Sequence, residues 1–167
     1  LYPFQLSGGM ARRVLVSTAL MTDAELVIAD EPTPGMSLDQ AIEALQMFRE
    51  MADEGKAVIL ITHDIDLAFE FADRVAVFYA GTTVETASAS DFKIGTEALR
   101  HPYSKALWRA LPQNEFEPIP GFQPYAGSLP KGCLFAPRCP YKTEQCEKQV
   151  PPVREIRGGE VRCFYGA

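Results

Sequence analysis

Apolar positions in this chain fall into two kinds of block: short unbroken runs, and longer stretches that repeat every three or four residues. The first unbroken run is at residues 26–29 in "ELVIADEPT", and it stops abruptly at Asp30, Glu31 and Pro32. "KAVILITHD" repeats the design, with apolar Ala57–Ile61 followed by Thr62, His63 and Asp64, and "RVAVFYAG" supplies a third run at 75–79, after which Gly81 begins a turn into "TTVE". Runs of this length predict strands buried on both faces, as in a parallel sheet. Between them the period is helical. "SLDQAIEALQMFREMADEG" places Leu38, Ile42, Leu45, Phe48 and Met51, with Ala41 and Ala52, on one face, and Gly55 suits a C-cap. "DIDLAFEFADR" predicts a shorter helix with Ile65, Phe69 and Ala72 inward. Ahead of the first strand, "ARRVLVSTALM" reads as a helix whose apolar face is largely Val14, Leu15, Thr18 and Leu20. Strand, helix, strand, helix, strand predicts an α/β fold with a mainly parallel sheet and right-handed crossovers.

In open α/β sheets ligands bind beyond the carboxyl ends of the strands, so this topology gathers Asp30, Glu31 and His63 at one sheet edge. Taken singly, an Asp after a strand is often a turn residue and a lone His is often a packed one. Two adjacent carboxylates at a buried strand end are harder to explain structurally, because their repulsion and desolvation must be offset by a cation or a donor. Mg²⁺ with a phosphate would do so. "LSGGM" near the start places Ser7 as an N-cap and leaves the N–H groups of Gly8 and Gly9 uncovered by side chains. A helix start of that kind suits an anion, although an ordinary capped helix reads the same way.

Composition then divides the chain. Of 13 prolines, 9 lie at or after Pro112, and all four cysteines, Cys133, Cys139, Cys146 and Cys163, fall in the last 35 residues. Residues 1–111 hold 9 basic and 16 acidic side chains, against 7 and 6 in residues 112–167. A boundary is therefore expected between 111 and 112, with an irregular Pro- and Cys-rich extension beyond it. The net charge of −6 does not suggest a general nucleic-acid surface, and no apolar run approaches membrane-spanning length. The opening "LYPFQLSGG" has neither an initiator Met nor a targeting pattern, which suggests a fragment with sequence missing upstream. Trp108, Leu107 and Leu111 read as one face of a short helix, His101 before Pro102 as a break between helices, and Phe122 and Tyr125 as packing the tail against the preceding domain. The cysteine spacing lacks the C-x2-C pairs usual for structural zinc. A tail without an obvious core gains constraint from a metal centre, and four thiolates can hold a 4Fe–4S cluster; zinc, free thiols or a labile disulfide are the alternatives.

"LSGGM", "LVIADEPT" and "ITHD", in that order, resemble the ATP-binding subunits of ABC transporters, which are P-loop NTPases. "YPFQLSGGM", "HPYSKALWRALP" and "GCLFAPRCP…C…VRC" look like the oligopeptide, dipeptide and nickel importer ATPases with their C-terminal extension, although His is more usual where Phe4 stands. The resemblance implies ATP and Mg²⁺ as ligands. Ser7, Gly8, Gly9 and Met10 would close over the γ-phosphate of ATP held by a second subunit. Asp30 would hold Mg²⁺ through water, Glu31 would activate the attacking water, His63 would contact the γ-phosphate, and Arg13 would be structural. It also implies a second ATPase subunit, integral membrane permeases, indirect work with an extracytoplasmic substrate-binding protein, no nucleic-acid partner, and a peripheral place on the cytoplasmic face of the membrane. In that reducing compartment disulfides are disfavoured. Some peptide-importer ATPases carry a 4Fe–4S cluster in this extension, so the four cysteines are expected to converge on one point.

Two departures stand out. No G-x-x-x-x-G-K-[ST] occurs, so the phosphate loop belongs upstream and this stretch alone should bind ATP poorly. The family's S-A-L-D after E-P-T is here Pro34, Gly35, Met36, Ser37, so either Ser37 or, with a two-residue insertion, Asp39 takes the aspartate's place. The competing readings are an ABC ATPase working on nucleic acid and a non-catalytic nucleotide-binding partner subunit. Peptide and nickel cannot be told apart as cargo from these residues.

Overall fold

The structure is a computed structural model that describes residues 2–21 and 24–165, except for the side chains of Arg12, Ala19 and Leu20. It forms two compact units, Leu1–Ala72 and Asp73–Ala167. The boundary expected at 111/112 thus falls inside the second unit.

The first unit runs α1 (Gly8–Leu20), β1 (Leu26–Asp30), α2 (Leu38–Asp53), β2 (Ala57–Ile61) and α3 (Ile65–Phe71). β1 and β2 pair in parallel, from Leu26 opposite Ala57 to Asp30 opposite Ile61. Local chemistry sets the helix ends. Ser7 caps α1 and accepts from Met10 N at 3.3 Å. Ser37 caps α2 in a reciprocal box with Gln40. At the far end of α2, Gly55 takes φ +97°. Gly55 N there donates to Ala52 O and Lys56 N to Met51 O, closing the helix in a Schellman arrangement.

The core comprises Val16, Val27, Ala29, Leu45, Phe48 and Met51, with Leu67 and Phe71 of α3 packed against it. Three expectations change here. Val14, Leu15 and Thr18 are exposed, and α1 sends Val16 inward instead, while the Leu20 side chain lies outside the described residues. Leu38 and Ile42 are also exposed, because the inner stripe of α2 is Ala41, Ala44, Leu45, Phe48 and Met51. β1 and β2 are not buried on both faces: Val27 and Ala29 point into the core, whereas Leu26, Ile28, Ile59 and Ile61 are exposed. A short apolar run shows that a strand is apolar on both sides without showing what covers each side.

The second unit holds β3 (Arg74–Tyr79), β4 (Thr82–Ser88), α4 (Ala89–Ile94), α5 (Pro102–Ala110), α6 (Glu144–Lys148), β5 (Val153–Ile156) and β6 (Gly159–Arg162). Its sheet order is β3-β4-β6-β5, with every pairing antiparallel. The 75–79 run is therefore the first arm of a hairpin and not a third parallel strand. The two-residue turn explains the difference. Ala80 and Gly81 both adopt positive φ (+48° and +83°), the twist that a tight antiparallel hairpin needs. Arg157 and Gly158 repeat this at +50° and +74° between β5 and β6. A register shift after Val77 inserts an extra residue into β4, so Val84 and Glu85 are successive and both buried.

The bulge matters because it turns a carboxylate inward. Glu85 accepts from the backbone N–H of Arg100 (2.9 Å) and of His101 (2.8 Å). The buried Arg100 guanidinium pairs with Asp91 at 2.8 Å and donates to the carbonyls of Ile156 and Arg157, both at 2.6 Å. This network fastens the β5–β6 hairpin to β4 and leaves the buried charges partnered, as burial requires. His101 caps α5 and is itself buried, accepting from Tyr103 N at 3.0 Å. Trp108 donates its indole N–H to Phe92 O at 3.0 Å.

Candidate functional site

The first candidate site stands at the carboxyl ends of β1 and β2. Asp30 is the last, exposed residue of β1. Glu31 N continues the ladder by donating to Ile61 O at 2.8 Å, but the Glu31 backbone has swung to φ +46°. A positive φ costs a non-glycine residue about 1 kcal/mol or more, and such strain concentrates at functional positions. Here it turns the Glu31 side chain across to the next strand. Its Oε1 accepts from His63 N at 3.1 Å and lies 2.8 Å from His63 Nδ1. The neighbours of His63 hold the turn, with Asp64 N donating to Thr62 Oγ1 (3.0 Å) and Asp64 Oδ1 capping α3 at Leu67 N (3.2 Å). The His63 side chain is 80% exposed and the Glu31 side chain 34% exposed, so the pair faces solvent. The hydrogen bond and charge of Glu31 raise the His63 pKa above 6.5, with a smaller contribution from Asp64.

The "LSGGM" residues begin α1: Gly8, Gly9 and Met10 form its first turn, where backbone N–H groups have no partner within the helix. Gly8 faces open space, with nothing within 4 Å of the place a Cβ would occupy. Gly9 lies against the start of α2 and the loop before it, where a Cβ would be 3.4 Å from Gln40 Oε1 and 3.8 Å from Gly35 O. Gly8 and Asp30 line one groove of about 500 Å³, otherwise walled by apolar residues such as Val16, Val27 and Phe48. Ser37 is committed to its cap, and Asp39 is exposed in the first turn of α2. One strand end thus offers a carboxylate for a cation, a carboxylate paired with a histidine, and a helix N-terminus nearby.

The second candidate site lies in the Asp73–Ala167 unit. Cys133, Cys139, Cys146 and Cys163 are all free thiols and all line one cavity of about 250 Å³. Burial raises the pKa of Cys133 and of Cys139, and the neighbouring thiols add to it. Among the described residues, no group of three or more His, Cys, Asp or Glu side chains is placed to hold a metal ion, so the expected convergence of the four cysteines on one ligand shell is not shown. A single zinc needs its thiolates packed at about 2.3 Å from one centre. In a four-iron cluster each thiolate binds a different iron, so the sulfurs stand apart across the cluster. Four thiols lining one cavity fit the larger group in donor chemistry.

Several residues that build this second site carried no signal of it. Gly132 lets two cysteine segments touch: Cys133 N donates to Cys146 O at 2.7 Å. A Cβ on Gly132 would run into that carbonyl and lie 2.7 Å from the carbonyl carbon of Glu147. Arg154 Nε donates to Cys163 O at 2.8 Å. His101, expected only to mark a break, lines the cavity, as does Phe135, whose ring meets those of His101, Tyr79 and Tyr103 at 5.3–5.8 Å. Phe122 and Tyr125 were expected to pack the tail; they are 94% and 79% exposed.

Comparison with known proteins places family matches at both ends of the chain. Residues 1–34 match the family "ABC transporter", and residues 84–146 match "Oligopeptide/dipeptide transporter, C-terminal region". The dipeptide transport ATP-binding protein DppD of Escherichia coli is 39% identical over 171 residues, covering 98% of this chain and 51% of that protein. The oligopeptide transport ATP-binding protein AppD of Bacillus subtilis is 37% identical over 170 residues, again 98% and 51%. The chain therefore spans about half the length of these relatives. Among solved structures, the archaeal ribosome recycling factor aABCE1, in complex with the ribosomal stalk protein aP1, matches with a TM-score of 0.50 and 26% identity over 53% of this chain and 18% of its own. With the signature and strand-end motifs at one end and the peptide-transporter extension at the other, the chain belongs to the ABC-transporter ATP-binding proteins of the oligopeptide/dipeptide type.

Proposed function

We propose that the full-length protein is an ATPase subunit that energises peptide import through an ABC transporter. The observation that carries this reading is the Glu31–His63 contact of 2.8 Å directly after Asp30 at the end of a parallel strand. The names of the relatives, dipeptide and oligopeptide transport ATP-binding proteins, support peptide as the cargo. In this reading the protein works as a dimer of ATPase subunits on the cytoplasmic side of membrane permeases. Asp30 would hold Mg²⁺, which neutralises phosphate charge when bound. Glu31 accepts a proton from the attacking water as its oxygen bonds to the γ-phosphorus, and the bond to the β-phosphate oxygen breaks to release ADP. His63, held by Glu31 in this structure, turns its ring toward the γ-phosphate and keeps the carboxylate aimed at the water. Ser37, one of the two candidates with Asp39 for the family aspartate's place, caps α2.

The N–H groups of Gly8 and Gly9 would meet the γ-phosphate of the partner subunit's ATP. Gly8→Asp isolates that claim. The site has room for the side chain, and an acid in the first turn suits the helix dipole, so the fold should tolerate it. In the full-length protein the variant should bind ATP and lose turnover; turnover at the wild-type rate would remove the signature loop from the reaction.

We also assign Cys133, Cys139, Cys146 and Cys163 as ligands of a 4Fe–4S cluster, which would constrain a tail poor in regular structure. Anaerobically prepared full-length protein should be brown and carry about four irons per chain. One stoichiometric zinc, or no metal, would overturn the assignment.

A further inference from the structure

Residues 112–130 form a Pro-rich strap without helix or strand, and its Phe116, Phe122 and Tyr125 are exposed. A segment of that kind needs tethers to hold one course across the surface, since it buries little apolar area of its own. Its start is held by Glu117 N donating to Arg109 O at 3.1 Å. Midway, the carbonyls of Pro120 and Ile119 accept hydrogen bonds from a single side chain: Arg138 Nε at 2.8 Å and Arg138 Nη2 at 3.0 Å. Gly121 turns there with φ +75°, and its Cα side lies flat on the Arg138 stem, where a Cβ would be 3.4 Å from Arg138 Cγ. The same guanidinium rests over the Tyr79 ring, 5.9 Å from its centroid. Arg138 therefore clamps the strap against β3.

The placement of Arg138 in the chain gives the clamp its meaning. It is the last residue of a 3-10 turn, Ala136–Arg138, that begins three residues after Cys133 and ends one residue before Cys139. Backbone bonds close the turn directly onto those cysteines: Ala136 N donates to Cys133 O (3.0 Å) and Cys139 N to Ala136 O (3.3 Å). Both thiols line the four-cysteine cavity. Anything that fixes the two sulfurs fixes the turn, and the turn aims the guanidinium fork at the two strap carbonyls.

We propose that Arg138 couples occupancy of the four-cysteine cavity to the order of the aromatic strap: with the thiolates held on a common metal group the strap is clamped, and with the group lost the turn loosens and the strap is released. This rests on the assignment of the cysteines as cluster ligands. The consequence is a segment bearing three exposed aromatic side chains whose conformation reports the state of the metal site.

Chymotrypsin, which cuts after aromatic residues, and amide hydrogen exchange both read strap opening without any assay of ATP turnover. Full-length protein is compared loaded, stripped with an iron chelator, and as Arg138→Ala, with iron measured in each. In wild-type protein, stripping should speed cleavage after Phe116, Phe122 and Tyr125 by about tenfold, while β3 and β4 keep their exchange protection. Arg138→Ala should hold its iron yet cleave at that faster rate whether loaded or stripped, and Arg138→Lys, which keeps the charge without the two-pronged fork, should lie close to Arg138→Ala. A loaded wild-type strap that cleaves as fast as a stripped one would overturn the coupling while leaving the cluster assignment intact. Arg138→Ala protein that fails to load iron would overturn it too, by making Arg138 part of the cysteine loop's construction. Absence of iron in every preparation would sink the cluster assignment and the coupling with it.

Discussion

Glu31 does two things that compete. Its carboxylate is held by both the main-chain and the ring nitrogen of His63, and it sits on a backbone at φ +46° that only an over-determined setting sustains. On the proposed mechanism the His63 ring moves for Glu31 to handle water, which makes the observed pair the resting arrangement of that proposed site. The pair has a pH signature. Because the pKa of His63 is raised, the ion pair is complete below about pH 6.5 and is lost as pH rises through the elevated value. Titration by NMR should place the His63 midpoint above 6.5, and Glu31→Gln should lower it; a midpoint that ignores the substitution would show that the contact does not persist in solution. At this scale the sequence was informative where chemistry is local. Ser7 as a cap, Gly55 as a helix stop and the Asp30–Glu31–His63 grouping are all legible from short windows. Arg138 is not legible, because nothing local distinguishes it from other surface arginines.

Among the elements, prediction held for β2, which occupies Ala57–Ile61 as expected, and failed for β3. The failure has a physical cause: an apolar run specifies a strand but not its partner, which the two positive-φ residues Ala80 and Gly81 decide. The bulge in β4 was equally hidden, since it shows only in the register against β3, yet it delivers Glu85 to the backbone of Arg100 and His101. The cysteine segments depend on Gly132 in the same non-local way. Gly132→Ala should force Cys133 away from Cys146 and cost roughly 2 kcal/mol or more in stability, with metal content lost. Normal iron loading of that variant would contradict the close approach seen here. His101 ties this unit to pH in the opposite sense from His63. Burial lowers its pKa from 6.5 to about 4, so the unfolded chain takes up a proton that the folded one refuses. Stability should be full above pH 6.5 and fall by roughly 3 kcal/mol as pH drops toward 4. Urea melts across that range check it, and His101→Asn, which can still cap Tyr103 N, should flatten the dependence.

On the scale of the whole molecule, the chain forms two compact units. Leu1–Ala72 carries Asp30, Glu31 and His63 on a two-stranded parallel sheet with Leu26, Ile28, Ile59 and Ile61 exposed, and Asp73–Ala167 carries the cysteines on an antiparallel sheet closed by a buried charge network. Proline and cysteine counts change at 112, but β6, from beyond residue 158, pairs with β4, so the tail and residues 82–88 belong to one sheet. Composition marks a change of texture; long-range strand pairing decides what folds with what. Glu31 is proposed to perform the catalytic step of ATP hydrolysis. The most direct test is phosphate release from full-length protein and its Glu31→Gln variant at saturating Mg-ATP, with ATP binding measured alongside. The expected result is a fall in turnover of about a hundredfold or more with ATP still bound. Turnover near the wild-type rate in Glu31→Gln would contradict it.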